Sequence, residues 1–120
     1  MSRDHRKLRA FQLADMLVTD IYQATSHFPR DEWYGLRSQL RRAVLSVATN
    51  LVEGSARLRT KEYLNFCNIA CGSAFETRYL STVAHRLGYV TDSVLCTLMP
   101  RLDQLCASLV KLVAALKPEA

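Results

Sequence analysis

Residues 38–54 read SQLRRAVLSVATNLVEG. Between Ala43 and Val52 nearly every position is apolar, yet Gln39, Arg42, Ser46, Asn50 and Glu53 recur at steps of three and four. Side chains at that spacing lie on one face of a helix, so the stretch predicts a helix that is apolar on most sides and carries one polar line. A helix at the surface of a lone chain shows a broad solvated face instead, and this apolar surplus predicts that a partner subunit covers it. The polar line is either a reaction site or internal scaffolding.

Outward from this helix, glycine and proline set the boundaries. Upstream, Leu8 to about Ser26 carries Phe11, Ala14, Val18 and Ile21 on one stripe, widened by Leu13 and Leu17, which predicts a first helix. Phe28-Pro29 ends it, because a residue before proline is pushed out of helical geometry, and Asp31-Glu32 places acidic charge at the start of the second helix. Trp33, Tyr34 and Phe28 are expected to clamp this corner. Gly54 is expected to stop the second helix in a left-handed conformation. Thr60 is the expected cap of a third helix, with Phe66, Ile69, Leu80, Val83 and Leu87 as its apolar members and Gly88 as its close. Gly72-Ser73, in mid-helix, reads as a small-residue patch that lets two helices approach. Thr91 or Asp92 caps a fourth helix, in which Leu95, Leu98, Leu102, Leu105, Leu109, Leu112 and Leu116 alternate steps of three and four. Pro100 falls inside that helix and predicts a kink or a broken first turn. No strand pattern or repeat competes. Short connections make sequential helices antiparallel neighbours, so the fold class is all-α, an antiparallel up-down-up-down four-helix bundle formed by a single domain over residues 1–120.

Composition supports one domain with a real core, since 49% of the 120 residues are apolar. Sixteen Lys and Arg against eleven Asp and Glu leave a net charge of +5, which favours contact with polyanions. No apolar run approaches the ~20 residues of a membrane span, and MSRDHRKLRA lacks the apolar core of a secretory signal, so a cytoplasmic chain with no membrane partner is expected. Cys67, Cys71, Cys96 and Cys106 are then reduced, mostly buried side chains.

Catalytic and metal motifs are missing. A di-iron bundle needs Glu-x-x-His pairs, but Glu53, Glu62 and Glu76 are followed at that offset by Ala56, Asn65 and Tyr79. His5, His27 and His85 are scattered, and Cys67 with Cys71 lacks companions at zinc-site spacing. No nucleophile elbow or phosphate-cradling glycine loop occurs. The expectation is therefore no catalytic residue, no metal and no cofactor. For the polar line, Glu76 and Ser73 on the third helix offer partners, through an Arg42 to Glu76 or an Arg42 to Glu53 network. A structural polar network of Gln39, Arg42, Ser46, Asn50, Glu53, Ser73 and Glu76 would fix register and exclude wrong pairings. Outside it, Arg37 and Arg41 share a helix face, Arg57, Arg59 and Lys61 crowd the loop between the second and third helices, and Arg3, Arg6 and Lys7 belong to a basic, flexible N-terminal arm over residues 1–7. Such clusters suit phosphate contacts with nucleic acid.

The segments FPRDEWYGLRSQLRRAVLSVATNLVEG, KEYLNFCNIACGSAFE and HRLGY resemble the signature of the four-helix-bundle proteins encoded in intervening sequences of bacterial 23S ribosomal RNA genes. The resemblance runs from about Phe11 to Gly88, and Cys71 departs from it by standing where a basic residue is common. It implies a bundle that assembles into a ring-shaped homo-oligomer, a homopentamer, with no known enzymatic activity. The family is also similar in fold to the accessory protein of diversity-generating retroelements, a basic pentameric barrel that binds a reverse transcriptase and nucleic acid. Two main readings follow: a non-enzymatic oligomer that associates with structured RNA through backbone-directed basic patches, or an adaptor that docks a protein partner such as a polymerase or reverse transcriptase. A hydrolase or metal enzyme is the third.

Overall fold

The computed structural model describes residues 3–120. Four helices dominate: α1 (Arg9–Thr25), α2 (Leu36–Ser55), α3 (Thr60–Arg86) and α4 (Asp92–Leu116), with short 3-10 turns at His5–Lys7, Arg30–Glu32 and Lys117–Glu119. Among the described residues no strand occurs. Each helix packs on its neighbours in sequence, α1 closes against α4, and α1 and α3 lie across one diagonal with α2 and α4 across the other. This is the up-down-up-down bundle, drawn out to 45 × 24 × 19 Å.

Three helices fill the interior with large aliphatic side chains. Leu13, Leu17 and Ile21 of α1 meet Leu40, Val44, Val47 and Leu51 of α2 and the leucines Leu98, Leu102, Leu105 and Leu109 of α4. The leucine seam of α4 is as its spacing predicts, with only Leu95 and Leu112 half-exposed. α3 differs from expectation. Its buried line is Tyr63, Cys67, Ala70, Ala74, Thr77, Ser81 and Ala84, again at alternating steps of four and three, whereas Ile69 is 52% and Leu87 54% exposed. The reason is volume: leucines and valines from the other helices already occupy the centre, so α3 contributes small side chains and packs close. The buried hydroxyls cost nothing unpaired, since Thr77 Oγ1 donates to the Ser73 carbonyl and Ser81 Oγ to the Thr77 carbonyl, both at 2.8 Å.

Glycine roles are also redistributed. α2 does end near Gly54, at Ser55, but Gly54 itself lies in the last helical turn and has no left-handed backbone. A Cβ there would stand 2.8 Å from Phe66 Cβ and 3.2 Å from Tyr63 Cδ1, so Gly54 is the point of close approach between α2 and α3. Gly72 has nothing within 4 Å of its would-be Cβ and does not serve that purpose within the chain. Gly88 does end α3, at φ +81, and the amides of Gly88 and Tyr89 return to the carbonyls of His85 and Ala84 at 3.0 and 2.9 Å. Thr91 Oγ1 caps α4 by accepting from the Val94 amide at 3.2 Å. α4 then runs unbroken through Pro100, which lies on the exposed side of the helix. Thr60 caps nothing: Arg59 precedes α3 without a side-chain cap, and Thr60 Oγ1 accepts from the Arg3 guanidinium at 3.1 Å.

At the α1–α2 corner Phe28 is buried against the Tyr89 ring, 5.4 Å between centroids, and Trp33 Nε1 donates to the Phe28 carbonyl at 3.1 Å. Glu32 Oε1 accepts from the Leu36 amide at 3.2 Å and so satisfies a donor at the start of α2. Tyr34 takes no part in the clamp; it is 94% exposed.

Candidate nucleic-acid interface

The polar line of α2 does face α3, but it is only partly tied. Ser46 Oγ and Ser73 Oγ lie 2.8 Å apart, and Asn50 Nδ2 donates to the Ser46 carbonyl at 2.8 Å and to Ser46 Oγ at 3.0 Å. Gln39, Arg42, Glu53 and Glu76 are exposed in the single chain, and among the described residues no ion pair joins Arg42 to Glu53 or Glu76. A buried charge needs a partner and a solvated one does not, so the expected Arg42 network is absent within the chain. Its members instead line an open recess of about 310 Å³ with Gln39, Arg42, Ser46, Ser73 and Glu76 on its walls.

The candidate nucleic-acid-binding residues fall into two groups toward opposite ends of the bundle. At the α2–α3 end stand Arg57, Arg59 and Lys61, and the N-terminal segment joins them. The Arg3 amide donates to the Ser55 carbonyl at 2.8 Å and the Arg3 guanidinium lies 4.2 Å from the Tyr63 ring centroid, so the segment is anchored through Arg3 and leads into the 3-10 turn His5–Lys7 instead of forming a free arm. Residues 1 and 2 of the expected arm lie outside the described residues. Local acids temper the charge here. Arg6 pairs with Asp4 at 2.9 Å, which holds the Asp4 carboxyl below its usual range, and Arg59 reaches Glu62 at 4.0 Å. Lys7 and Lys61 are exposed. Arg37 and Arg41 sit toward the other end, about 30 and 24 Å from Arg57 by the 1.5 Å rise of a helix.

Around Arg37 and Arg41 the structure adds residues that spacing alone does not bring together. The Arg30 and Arg37 guanidiniums lie 5.4 and 4.6 Å from the Trp33 ring centroid, and Arg41 lies 4.4 Å from that of Tyr22 on α1. Arg41 Nε donates to Thr25 Oγ1 at 2.9 Å and its Nη2 to the Tyr22 carbonyl at 3.2 Å, at the C-terminal turn of α1, where carbonyls carry partial negative charge. The only sequence signal for this cluster is that Trp33 is flanked by Arg30 three residues before and Arg37 four after. Among the described residues no cluster of three or more His, Cys, Asp or Glu is placed to hold a metal ion, and no helix is long and apolar enough to cross a membrane.

Fold and surface thus define a small all-α bundle with basic ends and an unfilled polar face. The chain belongs to the family of 23S rRNA-intervening sequence proteins, whose model matches residues 6–111. It is similar to a solved structure of a protein of unknown function from the S23 ribosomal protein family of Bacteroides thetaiotaomicron VPI-5482, with 17% identity, a TM-score of 0.79, and coverage of 88% of this chain and 95% of that one. At that identity the likeness concerns the fold. No curated protein matches the chain.

Proposed function

We propose that this protein is a non-enzymatic, self-associating bundle that binds structured RNA through its phosphate backbone. The observation that carries this reading is the gathering of Arg57, Arg59 and Lys61 at one end of the bundle, joined there by the anchored segment holding Arg3, Arg6 and Lys7. Cations so placed release counterions from a polyanion, giving affinity that is salt-sensitive and largely blind to sequence. Self-association is supported by the outer face of α3, where Ile69, one turn before Ser73, and Tyr79 are 52% and 61% exposed. A second copy on that face would give Arg42, Glu53 and Glu76 the partners they lack within one chain.

The test is a titration of an RNA hairpin at increasing salt. Affinity should fall linearly on a log–log plot, and Arg57→Ala with Arg59→Ala should reduce the slope by about 2, near one per phosphate contact. Undetectable or salt-independent binding overturns the reading. The same exposed apolar residues favour a second reading, in which the assembly docks a protein partner such as a polymerase or reverse transcriptase. Capture of that partner after nuclease treatment would support it over direct RNA binding.

A further inference from the structure

We infer that the groove between α1 and the first half of α2 is a single-strand site, in which unpaired nucleobases stack on Tyr34, Trp33 and Tyr22 while Arg30, Arg37 and Arg41 hold the phosphates. This rests on the nucleic-acid reading above and sharpens it, because stacking demands bases free of a duplex.

Geometry and charge converge on one face. Arg37, Arg41 and Leu45 follow one another at steps of four and so form a line along the side of α2 that meets α1, where Arg41 already lies over Tyr22. Trp33 begins the line with two guanidiniums near its ring, and Tyr34 stands almost wholly in solvent beside it. From Arg37 to Leu45 the helical rise covers about 12 Å, to which the preceding corner with Trp33 and Tyr34 adds, room for a few nucleotides in sequence. The line ends in an open groove of about 650 Å³, floored by Val18, Tyr22 and Leu45 and edged by Gln23, Ser26 and His27. An apolar floor with a few polar edge groups suits a planar heterocycle that carries donors and acceptors on its rim.

Among the described residues, the arginines of this face share with Arg3 and Arg57 a place over an aromatic ring with no carboxylate partner, and differ from four others on the bundle. Arg6, Arg59, Arg78 and Arg101 each meet a carboxylate within 4.0 Å. Among the described residues Arg30, Arg37 and Arg41 meet none. They lie over aromatic rings, an arrangement that orders a guanidinium without neutralising it and leaves N–H groups for an incoming phosphate. Of the two acids in the corner, Glu32 is turned to the Leu36 amide, and Asp31 is exposed. No carboxylate lines the groove itself. The excess of cation over acid, set among aromatic faces, fits single-stranded nucleic acid better than an apolar or a basic partner.

Trp33 is the single tryptophan of the chain and therefore reports directly on the site. Titration of the protein with a short oligouridylate should quench its fluorescence, whereas a blunt RNA hairpin of equal phosphate number should bind with less quenching. Tyr34→Ala, at an exposed position that leaves the fold intact by circular dichroism, should weaken the oligouridylate about tenfold while leaving the salt slope unchanged. Leu45→Glu, which places a carboxylate in the groove, should weaken it further, and Arg37→Ala should lower the slope by about 1. If the hairpin binds as tightly as the single strand and Tyr34→Ala changes nothing, the stacking site is refuted while backbone-directed RNA binding stands. If oligouridylate binding depends on Arg57 and Arg59 but not on Arg37 and Tyr34, the location is refuted. If neither nucleic acid binds, both readings fall.

Discussion

Two glycines of this chain make opposite predictions because their surroundings differ. At Gly54 an added methyl would meet Phe66 Cβ at 2.8 Å, an atom fixed to the α3 backbone, so α2 and α3 would have to part. Gly54→Ala should destabilise the chain by about 1–3 kcal/mol in urea denaturation, the range for overpacking a tight contact. Gly72 faces open space, and there Gly72→Ala should raise stability by about 0.5–1 kcal/mol through helix propensity alone. Equal effects at the two positions would contradict this assignment. A second residue-scale prediction concerns alkaline pH. Burial raises the Cys67 thiol from 9.0 to about 11 and the Tyr63 hydroxyl from 10.0 to about 12. Both values are higher in the folded chain, so the unfolded chain releases protons first and the stability, complete below pH 9, is lost as pH rises toward 12. Thermal melts across that interval should show a falling Tm, and Cys67→Ala should lessen the fall in its lower half. The same burial should protect Cys67 from alkylating reagents under native conditions while exposed Cys96 reacts.

At the scale of elements, the helices that supply bulk to the core are readable from spacing, and the helix that receives it is not. In α1, α2 and α4 large aliphatic residues mark the inner face, and the leucines from Leu98 to Leu109 are fully enclosed as their period implies. In α3 two lines share the same alternating steps, one of larger residues through Phe66 and Ile69 and one of small residues through Ala70, Ala74 and Ala84. Hydrophobicity favours the first, and the volume left by the other helices selects the second. Size at these positions is therefore testable: Ala74→Leu should destabilise by about 1–3 kcal/mol although it adds apolar surface. Leu105→Ala, on the bulky side of the same core, should cost about 2–5 kcal/mol. A stabilising Ala74→Leu would mean that α3 has slack. The candidate interface divides in the same way. The basic residues were readable one by one, but the pairing of Arg41 with Tyr22 joins two helices and has no signature along the chain. Nor did the sequence show that Arg78 and Arg101 meet carboxylates while Arg41 meets a ring alone, because those contacts depend on which helix lies alongside.

At the scale of the molecule, charge and assembly are coupled. One chain carries +5, a modest field, and the two candidate basic clusters stand about 24–30 Å apart along α2, too far for one short RNA segment to satisfy both. Association through the outer face of α3 would bring equivalent ends of several copies to one side of an assembly, where a single RNA could contact more than one of them. Binding to such an array gains from effective concentration as well as from each local contact. Ile69→Ser with Tyr79→Ser removes apolar surface that the single chain already exposes, so helicity and the urea midpoint measured at high dilution should remain near those of the parent. Mass measured in solution should fall to that of one chain, 13.6 kDa. The affinity for a long structured RNA should then drop at least tenfold and its salt slope should shrink, while the affinity for a short oligonucleotide that fits one copy should change little. A monomeric variant that keeps the full salt slope on long RNA would show that one chain supplies all the contacts, and the proposed link between self-association and RNA binding would be lost.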